Sequence, residues 1–353
     1  MAPAKRIIVV MIKTRSLLAA AFLIAAFSAA SEAQWKMLDA GTDASFRGLD
    51  VVSEKVVWAS GTGGTVVRST DRGKSWKVFK VPGAEKLDFR DIEAFDEKTA
   101  YVLSIGNGAS SRIYKTSDGG VTWKLQFTNE IEEAFFDSIA FWDEKNGIAQ
   151  SDPVAGKYVL YITEDGENWK RLPESRAPSA KEGEAAFAAS GTCVITEGKH
   201  GLFLITGGTD ARVLYSPDRG KTWASSSAPM VHGESGTGIF GIAIRGKHGV
   251  IVGGDYTKPE LDSGNIAYSS DGGKTWKIKL KANPFGYRSG VTFVTDEMII
   301  VVGSGGSDIS LDGGESWRNI DDGNWNAVGS KGKKAVYAVG PGGRIGKYEF
   351  GDR

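Results

Sequence analysis

The chain has 353 residues, with 43 Lys and Arg against 43 Asp and Glu, and 41% hydrophobic residues. That composition excludes wholesale disorder, and the even charge balance gives no electrostatic reason to expect a nucleic-acid partner. The single cysteine, Cys193, excludes an intramolecular disulfide and any CxxC redox or zinc site.

Residues 1–33 read as an export leader. Lys5, Arg6, Lys13 and Arg15 precede an apolar run from Leu17 to Phe27, and Ser31-Glu32-Ala33 offers small residues where a signal peptidase reads. Cleavage is expected after Ala33, and Met11 offers an alternative start. The apolar run is short for a membrane span, which argues against a retained anchor. No later segment has the length and apolarity of a transmembrane helix. Loss of the leader leaves 39 basic and 42 acidic residues. The mature protein is therefore expected to be soluble, in the periplasm or outside the cell.

Past the leader the chain reads as short strands separated by turns. Glycine accounts for 47 residues, nearly twice the ordinary share of ~7%. Six copies of one pattern punctuate the strands: Ser69 to Trp76, Thr116 to Trp123, Thr163 to Trp169, Ser216 to Trp223, Ser269 to Trp276 and Ser310 to Trp317. Each runs Ser/Thr-x-Asp-x-Gly-x-Ser/Thr-Trp. The third copy is one residue short, and the aspartates Asp71, Asp118, Asp165, Asp218, Asp271 and Asp312 stand 47, 47, 53, 53 and 41 residues apart. Each part has a structural reason. The Asp carboxylate accepts backbone N–H groups of its own turn, and the Gly takes a positive φ. The Ser/Thr hydroxyl ties the turn, and Trp76, Trp123, Trp169, Trp223, Trp276 and Trp317 bury rings between neighbouring sheets. The six aspartates are thus turn devices rather than catalytic carboxylates or calcium ligands.

Four short strands recur about every 46 residues, the signature of a propeller blade. First strands are expected in Phe46–Val52, Phe89–Phe95, Phe136–Trp142, Cys193–Ile195, Ile239–Ile244 and Val291–Val294. Cys193 is read as core. After the sixth pattern, 324–329, 335–340 and 344–350 supply three more strands. The fourth stands at the other end, where Trp35-Lys36-Met37-Leu38 resembles the strand that follows each pattern. The fold expected is all-β, a seven-bladed β-propeller spanning 34–353, with its ring closed by the N-terminal strand. Closure leaves no exposed sheet edge.

The repeated pattern is similar to the Asp-box, or BNR repeat, of sialidases, of some glycoside hydrolases and of propellers resembling the photosystem II stability/assembly factor. The resemblance spans essentially the whole mature chain. It is nearest the assembly-factor-like group, in phrases such as Thr116-Ser117-Asp118-Gly119-Gly120-Val121-Thr122-Trp123 and in the seven-blade count. It implies an exported, non-enzymatic scaffold that binds a protein or peptide, as members of that group in phototrophs bind a reaction-centre protein. The sialidase relatives imply an alternative, a glycan-active hydrolase or lectin. The Arg-Ile-Pro segment that sialidases carry before the first box is missing here.

In such blades the box face lies opposite the usual site. The other face is built from the loops between second and third strands and the loops leading into each first strand. There an aromatic residue is often followed by a charge: Phe46-Arg47, Phe89-Arg90-Asp91, Phe136-Asp137 and Tyr287-Arg288. Arg47, Arg90 and Arg288 either converge as a carboxylate clamp or pair with nearby acids such as Asp91 and Asp137. Glu184, Glu234, Asp255, Tyr256 and Trp325 complete the candidate face. Carboxylate pairs for glycoside hydrolysis would be Asp91 with Asp137 or Glu184 with Glu234. No cofactor or metal is expected: His232 has no second His or Cys beside it, and His200 and His248 read as turn residues of the box face. The glycine runs at 61–64 and 303–306 lack the strand-to-helix setting of a dinucleotide site.

Overall fold

The computed structural model describes residues 34–279 and 283–351, and the leader with its cleavage site lies outside them. Seven antiparallel sheets form the blades of one ring. Blade 1 runs Phe46–Val51, Val57–Gly61, Thr65–Ser69 and Lys77–Lys80 from channel to rim, and the other blades follow the same meander. Their first strands are Phe89–Ala94, Phe136–Asp143, Val194–Glu197, Thr237–Arg245, Gly290–Phe293 and Ala327–Ser330. In blade 5 the fourth strand shrinks to a single bridge between Tyr268 and Lys277. Blade 7 takes its outer strand from the N-terminus. Gln34–Leu38 pairs antiparallel with Ile345–Glu349, with Gln34 opposite Glu349 and Leu38 opposite Ile345.

The core lies between blades rather than within one. Trp58 and Val66 of blade 1 pack on Phe89 and Ile92 of blade 2. Tyr101 and Leu103 of blade 2 pack on Phe136, Ile139 and Phe141 of blade 3. The last interface joins Phe46, Ala59 and Val67 to Val339 and Ile345, so the seam between the chain's two ends is as apolar as the rest. The inner strands of each sheet are buried on both sides against the neighbouring blades, which is why they read as apolar runs.

The boxes sit in the turns between third and fourth strands. In the first, Asp71 accepts the Ser75 N–H at 2.9 Å, the Ser75 hydroxyl at 2.5 Å and the Ser69 hydroxyl at 2.9 Å. The short third copy keeps the clip by substitution: the Asn168 side-chain amide donates to Asp165 at 2.8 Å where the others use a hydroxyl. Of the six tryptophans Trp276 is buried and the other five are half-buried against their neighbours. Cys193 is buried, as expected for a core position.

Candidate functional site

One position per blade builds the mouth of the channel. In blades 1, 2, 3 and 5 the first strand carries a β-bulge just after its opening residue. The ladder skips Arg47, Arg90, Asp137 and Phe240. A bulged residue loses its cross-strand partner and its side chain is re-aimed, here into the channel. The equivalent residues of blades 6 and 7 are Ser289 and Asn326. The equivalence follows from the hydrogen bond that hooks each first strand to the preceding blade: Phe46 N–H to the Gly340 carbonyl, Arg288 N–H to Gly253 and Trp325 N–H to Gly303, at 2.9–3.0 Å. All six residues line one cavity of about 560 Å³.

Blade 4 breaks the series because another segment crosses in front of it. Glu184–Ala185 pairs with Gly207–Gly208, and Gly207 in turn pairs with Gly238 of blade 5. Residues 186–189 then run across the channel mouth. The Ala186 N–H donates to Asp152 at 2.7 Å, Arg90 donates to the Ala188 carbonyl at 3.3 Å, and Arg47 donates to the Ala189 carbonyl at 3.0 Å. Phe187 stacks on Phe240 with centroids 4.0 Å apart. Gly207 is required beneath it, since a Cβ there would lie 2.3 Å from the Phe187 ring.

The structure brings Arg47, Arg90, Asp137, Tyr256, Tyr287 and Trp325 together around this cavity. It separates the rest. Arg288 is fully buried and makes a two-pronged ion pair with Asp308, at 2.9 and 2.5 Å, away from the cavity lining. The sequence pair Tyr287-Arg288 mimics Phe46-Arg47, yet the register runs one residue later, so Ser289 holds the channel position. A three-arginine clamp is therefore reduced to two arginines. Asp91 is buried between blades, where its carboxylate accepts the Ser138 hydroxyl at 2.6 Å and the Ile139 N–H at 2.7 Å. Glu184 is buried against Arg212 (2.5 Å) and the Thr206 hydroxyl (2.6 Å). Asp255 closes its own turn on Thr257, and Glu234 is exposed outside the cavity lining. Neither expected carboxylate pair faces the cavity. The acids that do are Asp137 and Asp152, and Asp152, in the strand Asn146–Val154, was not among the expected site residues.

The electrostatics of this mouth are unusual. Burial, then the neighbouring Asp152, hold the Asp137 carboxyl well above the ordinary carboxylate range. Burial pushes Asp152 up to about 6. Burial and the adjacent Arg90 lower the Arg47 guanidinium. Arg90 keeps an ion pair with Asp88 at 2.8 Å. Trp325 is held by its indole N–H on Asp321 at 3.1 Å and contributes mainly core. His232 lies near the Met230 carbonyl at 2.8 Å, and no group of three or more His, Cys, Asp or Glu among the described residues is placed to hold a metal.

The comparisons agree with this architecture. Residues 267–277 match the BNR/Asp-box repeat family. No curated protein matches the chain. Among solved structures, YCF48 bound to D1 peptide is 15% identical with a TM-score of 0.63, over 90% of this chain and 96% of that one. YCF48 from Cyanidioschyzon merolae is 17% identical with a TM-score of 0.63, over 90% and 99%. A structure of U3-55K is 11% identical with a TM-score of 0.61, over 90% and 98%. At these identities the likeness is one of fold: the chain carries the Asp-box repeat and is a seven-bladed propeller built like YCF48.

Proposed function

We propose that the protein is an exported binding scaffold that takes a protein or peptide through its channel mouth. The observation that carries this is the bulge ring. The same distortion in four blades, with the equivalent positions of blades 6 and 7, aims six side chains into a single cavity, and two of them are adjacent arginines. Arg47 has a backbone carbonyl as its hydrogen-bond partner and no ion pair among the described residues, so its charge suits an incoming carboxylate. The cavity opens to a wall of Phe240, Tyr256 and Tyr287, with Tyr256 51% exposed, which suits an apolar side chain beside that carboxylate. Support also comes from the similar fold of YCF48, of which one structure has a D1 peptide bound. The leader-like segment before Gln34 supports export to the periplasm or the medium.

The test is selection of a random linear peptide library on the purified protein, with the enriched peptides retitrated on Arg47→Gln/Arg90→Gln. We expect acidic or carboxylate-ended peptides whose affinity falls tenfold or more in the variant. Enriched peptides that bind both proteins equally would place the partner elsewhere.

One observation favours a second reading, glycan hydrolysis. Asp137 and Asp152 line the same pocket, and both carboxyls are raised, as a general acid requires. The native protein and Asp137→Asn are to be assayed against aryl glycosides and sialosides. Turnover abolished by the substitution would replace the scaffold reading with this one.

A further inference from the structure

The channel mouth changes character around the ring. Its channel positions pass from Arg47 and Arg90 to Asp137, then to Phe240, then to Ser289 and Asn326. The charged sectors are satisfied differently. Arg90 has a carboxylate partner in Asp88. Asp137 and Asp152 accept from neutral donors, the Gln150 amide at 3.3 Å and the Ala186 N–H at 2.7 Å, and neither joins an ion pair among the described residues. Asp137 is only 1% exposed, so little water solvates it. The charge of Arg90 reaches Asp137, but neither acid has an ion-pair partner among the described residues, and burying a carboxylate without one is costly.

An independent feature stands beside these acids. The adjoining wall is aromatic: Phe187 stacked on Phe240, with the Tyr287 ring edge-on to Phe240 at 4.9 Å. Aromatic faces attract cations, most strongly when the cation is desolvated. The donor set is too small for a metal, since no third acid, His or Cys joins it. A bulky organic cation satisfies both the carboxylates and the rings.

The geometry points to a subsite for a primary ammonium or guanidinium, held by Asp137 and Asp152 against the Phe187–Phe240 wall. This rests on reading the channel mouth as a peptide site, and it narrows the partner: the bound segment carries a basic group beside its acidic one. Burial raises both carboxyls, and for Asp137 the charge of Asp152 adds to it, so an incoming cation favours their ionised form.

The test uses benzylamine and its neutral isostere benzyl alcohol, titrated into the native protein and into Asp137→Asn/Asp152→Asn while amide NMR spectra are recorded. The variant's spectrum and melting temperature report its fold. If the double variant does not fold, Asp152→Asn alone serves. We expect saturable benzylamine shifts at cavity residues, with affinity at least tenfold above that of benzyl alcohol. That affinity falls at least tenfold in the double variant, or threefold in the single one. Benzylamine binding no tighter than benzyl alcohol, or unchanged by the substitutions, would overturn the subsite. Benzoate, titrated into the native protein and Arg47→Gln/Arg90→Gln, reads the arginine sector separately. Its failure to bind would sink the carboxylate part of the scaffold reading and leave the cation subsite standing.

Discussion

The same residue type does opposite work at the two ends of this ring. On the box face, Asp71 accepts two hydroxyls and a backbone N–H in an exposed turn, and those bonds hold its carboxyl down to about 2. Asp218 and Asp312 are likewise low, at about 2. At the channel mouth, Asp152 accepts one backbone N–H in a closed setting, and burial raises it to about 6. The difference lies in donors and solvent, not in sequence neighbours. Where the turn supplies donors for the ionised form, the aspartate is a clip, satisfied within its own eight residues. Where burial outruns the donors, it is left wanting a proton or a cation, which is the condition for chemistry or recognition.

The largest expected effect separates a structural arginine from a functional one. Arg288→Ala removes the partner of a buried Asp308 and should cost about 3–5 kcal/mol in denaturant unfolding. Arg47→Gln, by contrast, removes one hydrogen bond, to the Ala189 carbonyl, and should cost about 1 kcal/mol. Equal losses in the two variants would mean that both arginines are structural.

The next effect is on pH dependence, and its sign differs between the faces. Asp152 is raised, so its folded form holds the proton more tightly than the unfolded chain. Its contribution is full below about pH 4 and is lost as pH rises through about 6. Asp152→Asn should therefore gain stability relative to the native protein between pH 4 and 8, on the order of 1–2 kcal/mol. Asp71 is lowered, so its contribution is present above about pH 4 and is lost as pH falls through about 2. Melting curves from pH 2 to 8 on both Asn variants check the pair. Shifts of the same sign would break the contrast.

The last stability effect is local. Asp271→Ala removes hydrogen bonds from Thr275 and Ser269 and should cost on the order of 1 kcal/mol. It should leave peptide affinity untouched, which the selected peptides can verify.

The fold was legible because a turn chemistry repeats. Asp, Gly and Trp in one order mark the same hairpin six times, and Trp35–Leu38 reads as the missing rim strand because it resembles the strand that follows each box. The site was legible only in part. Phe46-Arg47, Phe89-Arg90 and Phe136-Asp137 announce the channel position, since in these three blades the bulge follows an aromatic anchor. Arg288 deceived because Tyr287 imitates that anchor one residue early. Ser289 and Asn326 carry no charge or ring to draw notice. The strap 184–189 is Glu-Ala-Ala-Phe-Ala-Ala, with neither turn residues nor strand alternation, so its path across the channel comes from tertiary pairing with Gly207 and Gly208. Asp152 lies near the end of the strand Asn146–Val154, and no neighbouring motif marks it; the strap's Ala186 N–H is its partner.

The most direct test is a carbon-13 NMR titration of the aspartate carboxyls in the native protein. The account predicts that Asp71 titrates near 2 and Asp152 near 6. Both titrating near the ordinary value of about 4 would erase the difference between the two faces, and with it the case for the channel mouth as the site.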